Sequence, residues 1–252
     1  MPTTDTSIIL YDMSSTLPNR QPVSPYASLV RYALNYKQLS FTTSWTTYAT
    51  IKADALAIGA KPTTVFRDGT PRYTIPFIID STLPGAPVVV SGSLAIVQYL
   101  DIAYPDPVHQ LLEPSPNNLA VHTLGRMAIE AFVGPLVIPM LRPRILGILT
   151  TEEDKEILRS SFPPDFQETT VDSVEGKALV DGSKVMLEEI AKTFGEHKWF
   201  GGDRPVYLDF VLLGYLNLFR HVHEDVWKVL KEVDGGRFVK MIEAGAEWAK
   251  LD

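Results

Sequence analysis

Two serine hydroxyls stand at predicted helix starts, where a side chain can act on an anion. Ser24 precedes Pro25, and Pro favours the first position of a helix, so Ser24 is predicted as an N-cap. Ser93 precedes an apolar pattern of helical spacing, which predicts a second N-cap. A hydroxyl donor at the positive end of a helix favours a bound anion. A plain capping role is the alternative for each serine, and it does not exclude that chemistry.

Other patterns that could carry chemistry fail on spacing. His221 and His223 lie two residues apart on a predicted helix and point to different faces, so metal binding is disfavoured. The run Ser91-Gly92-Ser93 lacks the flanks of a hydrolase nucleophile elbow. The chain has no cysteine. Any thiol chemistry must therefore come from a bound ligand.

The stretch 72–105 must position the second serine. Two β-branched apolar runs, 75–79 and 88–90, flank a linker rich in Pro, Gly and Ser, which predicts an antiparallel hairpin. The second run leads into the helix that begins near Ser93. Pro76, at the start of the first run, indicates either an edge strand or a cis bond to Ile75.

The elements before this hairpin alternate between strand and helix. A short β-rich run at 7–11 is followed by a polar loop, 12–23, and then by the helix that begins at Pro25. Residues 41–45 are predicted as the next strand, and 50–58 as a short helix. The resulting order, β-α-β-α-β-β-α, is the thioredoxin-like pattern built on one mixed sheet.

A proline-rich segment, 105–117, divides the chain. It holds four prolines and no periodicity, so it is predicted as a linker between a domain at 1–104 and one at 118–252. Beyond it the strand signals vanish. Helices are predicted at 118–141, bent around Pro135 and Pro139, and at 152–161, 174–194, 207–230 and 238–251. The predicted fold class is therefore α+β, with a thioredoxin-like domain followed by an all-α helical bundle.

Charge and composition limit the class of partner. The net charge of −7 and the absence of a concentrated basic face argue against nucleic acid or an anionic membrane as the partner. The N-terminal sequence lacks the features of a secretory signal, and no transmembrane run is predicted. Cytoplasmic residence is therefore expected.

Several of these features together resemble the glutathione transferase superfamily. The strand that opens with Ile75-Pro76, the helix start at Ser93 and the pattern Ile-x-x-Tyr-Leu at 96–100 resemble its glutathione-binding half. The phrase 199–209 resembles the family's phrase before its buried C-terminal helix, but Val206 replaces the usual Ser or Thr cap. The likeness is greatest to the fungal etherase-related class, which uses serine chemistry.

This resemblance implies that Ser24 is the catalytic residue and donates a hydrogen bond to the sulfur of glutathione. A free thiol has a pKa of about 8.5, so only a few per cent is thiolate at neutral pH. Lowering that pKa by ~2 units corresponds to about 2.7 kcal/mol of preference for the thiolate. Tyr11, Ser14 and Ser15 are weaker candidates for the same role.

The resemblance also assigns the cysteinyl and glycyl parts of glutathione. Ile75, next to Pro76, is expected to pair its backbone with the cysteinyl backbone in the manner of an added strand. The glycyl carboxylate requires a cation, for which Lys52, Lys61 and Arg72 are available. Each of these three also fits a solvated surface charge.

The γ-glutamyl end of glutathione is assigned to the start of the second helix. The hydroxyl of Ser93 and adjacent backbone N–H groups are expected to bind the α-carboxylate. Gly92 stands where most family members carry Glu or Asp for the ammonium group. The ammonium group then needs another carboxylate, such as one from a partner subunit, or glutathione binds with lower affinity.

The second substrate is expected between the two domains. The walls predicted for this site are the loop 12–23, Tyr26 and the helix that carries Met127, Phe132 and Ile138. This loop is long and holds the apolar residues Met13, Leu17 and Val23, which favours a bulky aromatic compound. Met127 and Phe132 also fit ordinary core positions.

The expected function is glutathione transfer to hydrophobic, aromatic electrophiles, with aryl-ether cleavage by the same attack. Glutathione acts as co-substrate, and the resemblance implies a homodimer. The alternative is a non-catalytic carrier that binds hydrophobic compounds and holds glutathione as a ligand. Turnover of a model electrophile separates the two.

Overall fold

The computed structural model describes residues 4–66, 68–112 and 117–251. Its N-terminal part combines strands and helices. The strands are β1 (Thr4–Met13), β2 (Leu39–Thr46), β3 (Thr64–Val65), β4 (Pro71–Arg72), β5 (Phe77–Asp80) and β6 (Val88–Ser91). The helices among them are α1 (Pro25–Tyr36), α2 (Ile51–Ala57) and α3 (Ser93–Ala103).

Four of the strands form one mixed sheet in the order β2-β1-β5-β6. Strand β1 runs parallel to β2 and antiparallel to β5, and β5 is antiparallel to β6. This arrangement confirms the predicted thioredoxin-like domain. A two-stranded hairpin of β3 and β4 was not predicted, because each strand has only two residues.

Helix α1 lies between the sheet and the helical domain. Leu29 and Ala33 are fully buried, and Ala27 and Val30 are equally inaccessible, so nearly every face of the helix is covered. The start was predicted correctly: Ser24 is the N-cap and Pro25 the first helical residue. This start fixes the position of Ser24.

The C-terminal part consists of helices, as predicted. They are α4 (Asn118–Leu136), α5 (Arg142–Leu146), α6 (Glu152–Arg159), α7 (Val174–Lys192), α8 (Tyr207–Val222), α9 (Glu224–Leu230) and α10 (Arg237–Gly245). Helix α4 contains Pro135 and continues into a π-helical segment, Val137–Leu141, that holds Pro139.

The prediction of a single helix at 207–230 was wrong, because the helix is interrupted at His223. This residue has φ −137° and ψ 77°, outside the helical region. Its Nδ1 accepts a hydrogen bond from the backbone N–H of Val226 at 3.5 Å and so caps α9. A polar side chain that bonds its own backbone in this way competes with helix continuation.

Helix α4 and its continuation, 119–146, are long and apolar enough by length and composition to cross a membrane, with a mean hydropathy of 1.5. No transmembrane run was predicted from the sequence. One helix of this kind is weak evidence for a span, because a core helix of a domain meets the same criteria. Here Ile129, Phe132 and Leu136 are buried in the protein's own core, and 33% of the most apolar window of the helix is buried.

The buried helix α8 begins with a one-sided cap. Val206 is the N-cap and contributes no side-chain bond, as predicted. Asp209 is fully buried, and its carboxylate accepts from the backbone N–H of Val206 at 2.7 Å and of Phe200 at 2.9 Å. Burial raises the pKa of Asp209 to about 7, although these N–H bonds act in the opposite direction.

Candidate functional site

Several strand ends meet at one edge of the sheet. Met13, the last residue of β1, lies opposite Thr46, the last residue of β2. Tyr11 lies opposite Phe77, the first residue of β5, and Phe77 lies opposite Ser91, the last residue of β6. The segments that leave β1, enter β5 and leave β6 are therefore neighbours in space.

Ser24 lies at this same edge. Helix α1 returns from it to the opposite edge, where Gln38, just after the helix, accepts a 2.8 Å hydrogen bond from Thr4 at the start of β1. The Ser24 side chain is half-buried, and its Oγ accepts from the backbone N–H of Ala27 at 3.3 Å. Because the oxygen accepts in this bond, the hydroxyl proton remains available to a ligand.

The entry to β5 is a cis peptide bond between Ile75 and Pro76. Strand β5 lies inside the sheet, so the predicted alternative of an edge strand was wrong. The carbonyl oxygen of Pro76 accepts a 3.0 Å hydrogen bond from the backbone N–H of Gly92. Ile75 is half-buried and Pro76 is buried at this junction.

Gly92, and not Ser93, is the N-cap of α3, which corrects the prediction. Gly92 has φ +91°, a conformation that residues with a Cβ rarely adopt. Ser93 is the first helical residue and is half-buried. Ser93 and the first N–H groups of α3 still lie at the N-terminal end of the helix, which favours anions.

A tyrosine from the helical domain lies against Ser93. The Tyr207 hydroxyl is buried and makes no hydrogen bond of normal geometry to any residue in the described part of the chain. Burial raises the pKa of Tyr207, and the nearby Ser93 hydroxyl and the Arg126 guanidinium oppose that effect. Two hydroxyls from different domains thus adjoin the start of α3.

Tyr26, the second residue of α1, joins the two domains. Its hydroxyl donates to the Glu130 carboxylate on α4, and the Tyr215 hydroxyl donates to Tyr26 at 2.9 Å. The Arg126 guanidinium donates to the same carboxylate at 2.6 Å. Burial raises the pKa of Glu130. A hydrogen-bonded chain of two tyrosines, a glutamate and an arginine therefore joins α1, α4 and α8 two residues after Ser24, and we call the space beside it the candidate cleft.

The other predicted wall residues on α4 have different environments. Met127 is 54% exposed, and it lies one turn before Glu130. Phe132 is fully buried, with its ring centroid 6.1 Å from that of Phe219, so it is a core residue and its predicted place in the wall was wrong. Ile138 is 41% exposed in the π-helical segment.

The predicted cations lie on the surface. Lys52 is exposed near the start of α2, the helix that follows β2 from the shared edge of the sheet. Arg72 is exposed on β4, and its guanidinium lies 5.4 Å from the centroid of the Phe66 ring. The backbone N–H of Lys61 donates to the Ser91 hydroxyl at 3.1 Å, so this segment also borders the edge.

The four cleft residues that were not predicted all come from the helical domain. They are Arg126, Glu130, Tyr207 and Tyr215. Their helices lie far along the chain from Ser24 and Ser93, and each residue also fits an ordinary position on a helix. A contact such as Tyr26 with Glu130 needs the docking of two domains, which no local pattern reports.

Two family models match the chain. One is described as the N-terminal domain of glutathione S-transferase and matches residues 20–108. The other is described as the C-terminal domain of glutathione S-transferase and matches residues 120–248.

Individual relatives match along almost the whole chain. The glutathione S-transferase-like protein ustS of Aspergillus flavus is 26% identical over 98% of this chain and 92% of its own length. The glutathione S-transferase CsGST63524 of Ceriporiopsis subvermispora, solved in complex with glutathione, is 26% identical over 97% of this chain and 98% of its own, with a TM-score of 0.82. The glutathione transferase GSTFuA3 of Phanerochaete chrysosporium is 25% identical over 98% of both chains, also with a TM-score of 0.82.

Proposed function

The chain belongs to the glutathione S-transferase family, and from this premise we propose that it transfers glutathione to apolar aromatic electrophiles with Ser24 as the catalytic hydroxyl. The supporting observation is the place of Ser24 at the N-cap of α1, on the sheet edge that also carries Pro76 and Ser93. The hydroxyl donates to the sulfur of glutathione, and the N-terminus of α1 adds a favourable field for the thiolate.

The reaction needs no protein nucleophile. The thiol proton leaves to solvent, and the thiolate attacks an electrophilic carbon to form a carbon–sulfur bond. The leaving group departs with the electron pair of the broken bond. Aryl-ether cleavage follows the same course with a phenolate as leaving group, and the likeness to the etherase-related class supports it.

Glutathione binds along the junction of β5 and α3. Ile75 pairs its backbone with the cysteinyl part beside Pro76, and Lys52 or Arg72 meets the glycyl carboxylate. Ser93 donates to the γ-glutamyl carboxylate. In this complex the Tyr207 hydroxyl, which has no hydrogen bond of normal geometry within the described residues, donates to the oxygen of Ser93. The relative CsGST63524, solved with glutathione, supports this ligand.

The aromatic cleft favours an aromatic second substrate. Tyr26 and Tyr215 hold their rings edge to face, with centroids 5.8 Å apart, and Met127 borders the same side of α4. Flat apolar compounds pack against such rings better than small polar ones. A bulky aromatic electrophile is the proposed substrate class.

A homodimer in the cytoplasm is part of the proposal. Val65 and Phe66, on the β3–β4 hairpin, are 62% and 51% exposed, and a partner subunit would cover them. The partner would also supply the carboxylate that Gly92 lacks for the ammonium group. Light scattering coupled to size exclusion tests this state, and Phe66→Glu is expected to shift the mass to that of a monomer.

The decisive experiment compares binding with turnover. Glutathione-affinity capture is followed by a panel that includes 1-chloro-2,4-dinitrobenzene and a benzylic aryl ether. Conjugate formation that falls in Ser24→Ala supports the proposal. Displacement of a bound hydrophobic dye without conjugation of any panel member identifies a carrier. If the wild type does not bind glutathione, both the transferase and the glutathione-binding carrier are excluded.

A further inference from the structure

A cavity of about 240 Å³ lies on the flank of α1 away from Tyr26. Ser28, Arg31 and Tyr32 line it from α1. Residues of the loop before α1, of α8, of α10 and of the segment after α10 complete the wall. Arg31 follows Tyr26 by five residues, which places it roughly 140° around the helix axis. The cavity is therefore separate from the cleft that contains Glu130.

The wall of this cavity is rich in hydrogen-bond donors. Arg31, Arg220, His221 and Asn217 all contribute to it. No Asp or Glu side chain lines it in the ranges that the structure describes. Since arginine and amide groups offer N–H donors, the wall suits a ligand that accepts hydrogen bonds.

Two buried nitrogens of this wall have no partner within the described residues, Nε of Arg31 and Nδ1 of His221. The other two nitrogens of Arg31 are engaged, since Nη2 donates to Asp12 at 2.9 Å and Nη1 donates to Thr43 at 3.0 Å and to the Leu251 carbonyl at 2.5 Å. A buried donor left without an acceptor costs on the order of 1–3 kcal/mol. An acceptor inside the cavity would recover part of that cost.

The charge of the wall fits a monoanion. The buried ion pair with Asp12 neutralises the charge of Arg31, and burial together with the Arg220 cation lowers the pKa of His221. Arg220 is then the wall cation whose charge is not offset by a buried partner in the described residues. A phosphate dianion would lack a second counter-charge.

The wall also contains apolar residues, among them Pro22, Ile242 and Ala249. A volume near 240 Å³ lies just below the usual range for drug-sized ligands. A small molecule with one flat apolar body and one acidic group matches both kinds of residue in the wall.

We propose that this cavity binds a small monocarboxylate with an aromatic or branched apolar body, at a site distinct from the glutathione cleft. One carboxylate oxygen accepts from Nε of Arg31 and the other from Arg220. The apolar body packs against Ile242 and Ala249. The site does not depend on the proposed transferase activity.

Benzoate is the probe for this site, titrated calorimetrically into the full chain at constant ionic strength, with and without saturating glutathione. Arg220→Ala removes an exposed cation of the wall, and Ala249→Phe fills the space beside the apolar residues. Arg159→Ala is the matched control, because Arg159 is an exposed arginine that forms surface ion pairs on α6. Benzamide serves as the uncharged analogue.

The expected result is a dissociation constant about tenfold higher in Arg220→Ala, which corresponds to about 1.4 kcal/mol, and unchanged in Arg159→Ala. Ala249→Phe is expected to weaken benzoate binding as well, provided that its thermal unfolding matches that of the wild type, and the comparison of the two arginine variants holds without it. Benzamide is expected to bind about tenfold more weakly than benzoate. Equal weakening by both arginine variants, no binding of millimolar benzoate to the wild type, or displacement of benzoate by glutathione would overturn the proposal.

Discussion

The backbone N–H of Gly92 donates a 3.0 Å hydrogen bond to the carbonyl oxygen of Pro76. This bond ties the start of α3 to the start of β5, so Ser93 and Ile75 keep a fixed spacing. Strand β1 pairs with β5 beside this junction and leads through its loop to Ser24. Residues separated by about seventy positions in the chain thus form one edge, on which a small extended ligand can lie.

Ser24→Ala is expected to lower the conjugation rate by at least about tenfold while the protein still folds. Loss of the hydroxyl returns the pKa of the bound thiol toward its free value of about 8.5, and each unit corresponds to about 1.4 kcal/mol. Loss of the N-cap also costs about 1 kcal/mol of stability. The absorbance of the bound thiolate as a function of pH measures the first effect, and thermal unfolding measures the second.

The matched control is Ser24→Asp, which separates capping from hydrogen-bond donation. Aspartate is as good an N-cap as serine, so stability should stay near that of the wild type. An ionised carboxylate donates no hydrogen bond and repels a thiolate. If Ser24→Asp turns over as fast as the wild type, Ser24 acts in the fold and not in the reaction.

Ser93→Ala is expected to weaken glutathione binding by about tenfold or more, because a hydrogen bond to a carboxylate contributes about 1.5–3 kcal/mol. Tyr207→Phe should weaken it less, since Tyr207 acts through Ser93. Calorimetric titration with glutathione measures both. Ser91→Ala is the control, because its hydroxyl accepts from the Lys61 backbone, and the same loss in all three variants would contradict a direct role for Ser93.

Tyr26→Phe is expected to change the KM for an aromatic electrophile while the KM for glutathione stays constant. The change removes the hydroxyl that links Tyr215 to Glu130 and leaves that carboxylate with Arg126. Tyr32→Phe is the matched control, because Tyr32 also joins α1 to α8, through the amide of Asn217 at 2.6 Å. Each change should lower stability by about 0.5–1.5 kcal/mol. An equal effect of both variants on the electrophile would show that domain docking, and not the cleft, carries it.

Much of the fold could be predicted from the sequence because the signals for helix starts, strands and turns are local. Pro25 after Ser24 gave the start of α1. The linker at 105–117 stays a prediction, because residues 113–116 of it lie outside the described residues. The N-cap of α3 was predicted one residue late, at Ser93 and not at Gly92, because a glycine with φ +91° has no side chain that indicates a cap. The interruption at His223 was not predicted either, because the apolar residues on both sides of it keep helical spacing.

The cleft itself could be predicted only from the side of the first domain. Ser24 and Ser93 stand at element boundaries that the sequence marks, whereas Glu130 and Tyr215 lie inside helices. Their role depends on which face of α4 and α8 meets α1. Apolar periodicity predicts the buried face of a helix, but it does not predict which polar side chains beside that face contact another helix. The cavity beside Arg31 could not be predicted for the same reason, because it forms only where three separate segments of the chain pack together.

Asp209→Asn is expected to reduce the pH dependence of the free energy of unfolding between about pH 4 and pH 7. Burial raises the pKa of Asp209 to about 7, so the folded protein holds this proton up to about pH 7, whereas the unfolded chain releases it near pH 3.9. The stabilisation is therefore fully present below that unfolded value and is lost as the pH rises through about 7. Urea unfolding of both proteins at several pH values should give a steeper loss for the wild type. Identical slopes would mean that the N–H bonds from Val206 and Phe200 keep the carboxylate ionised in the folded state.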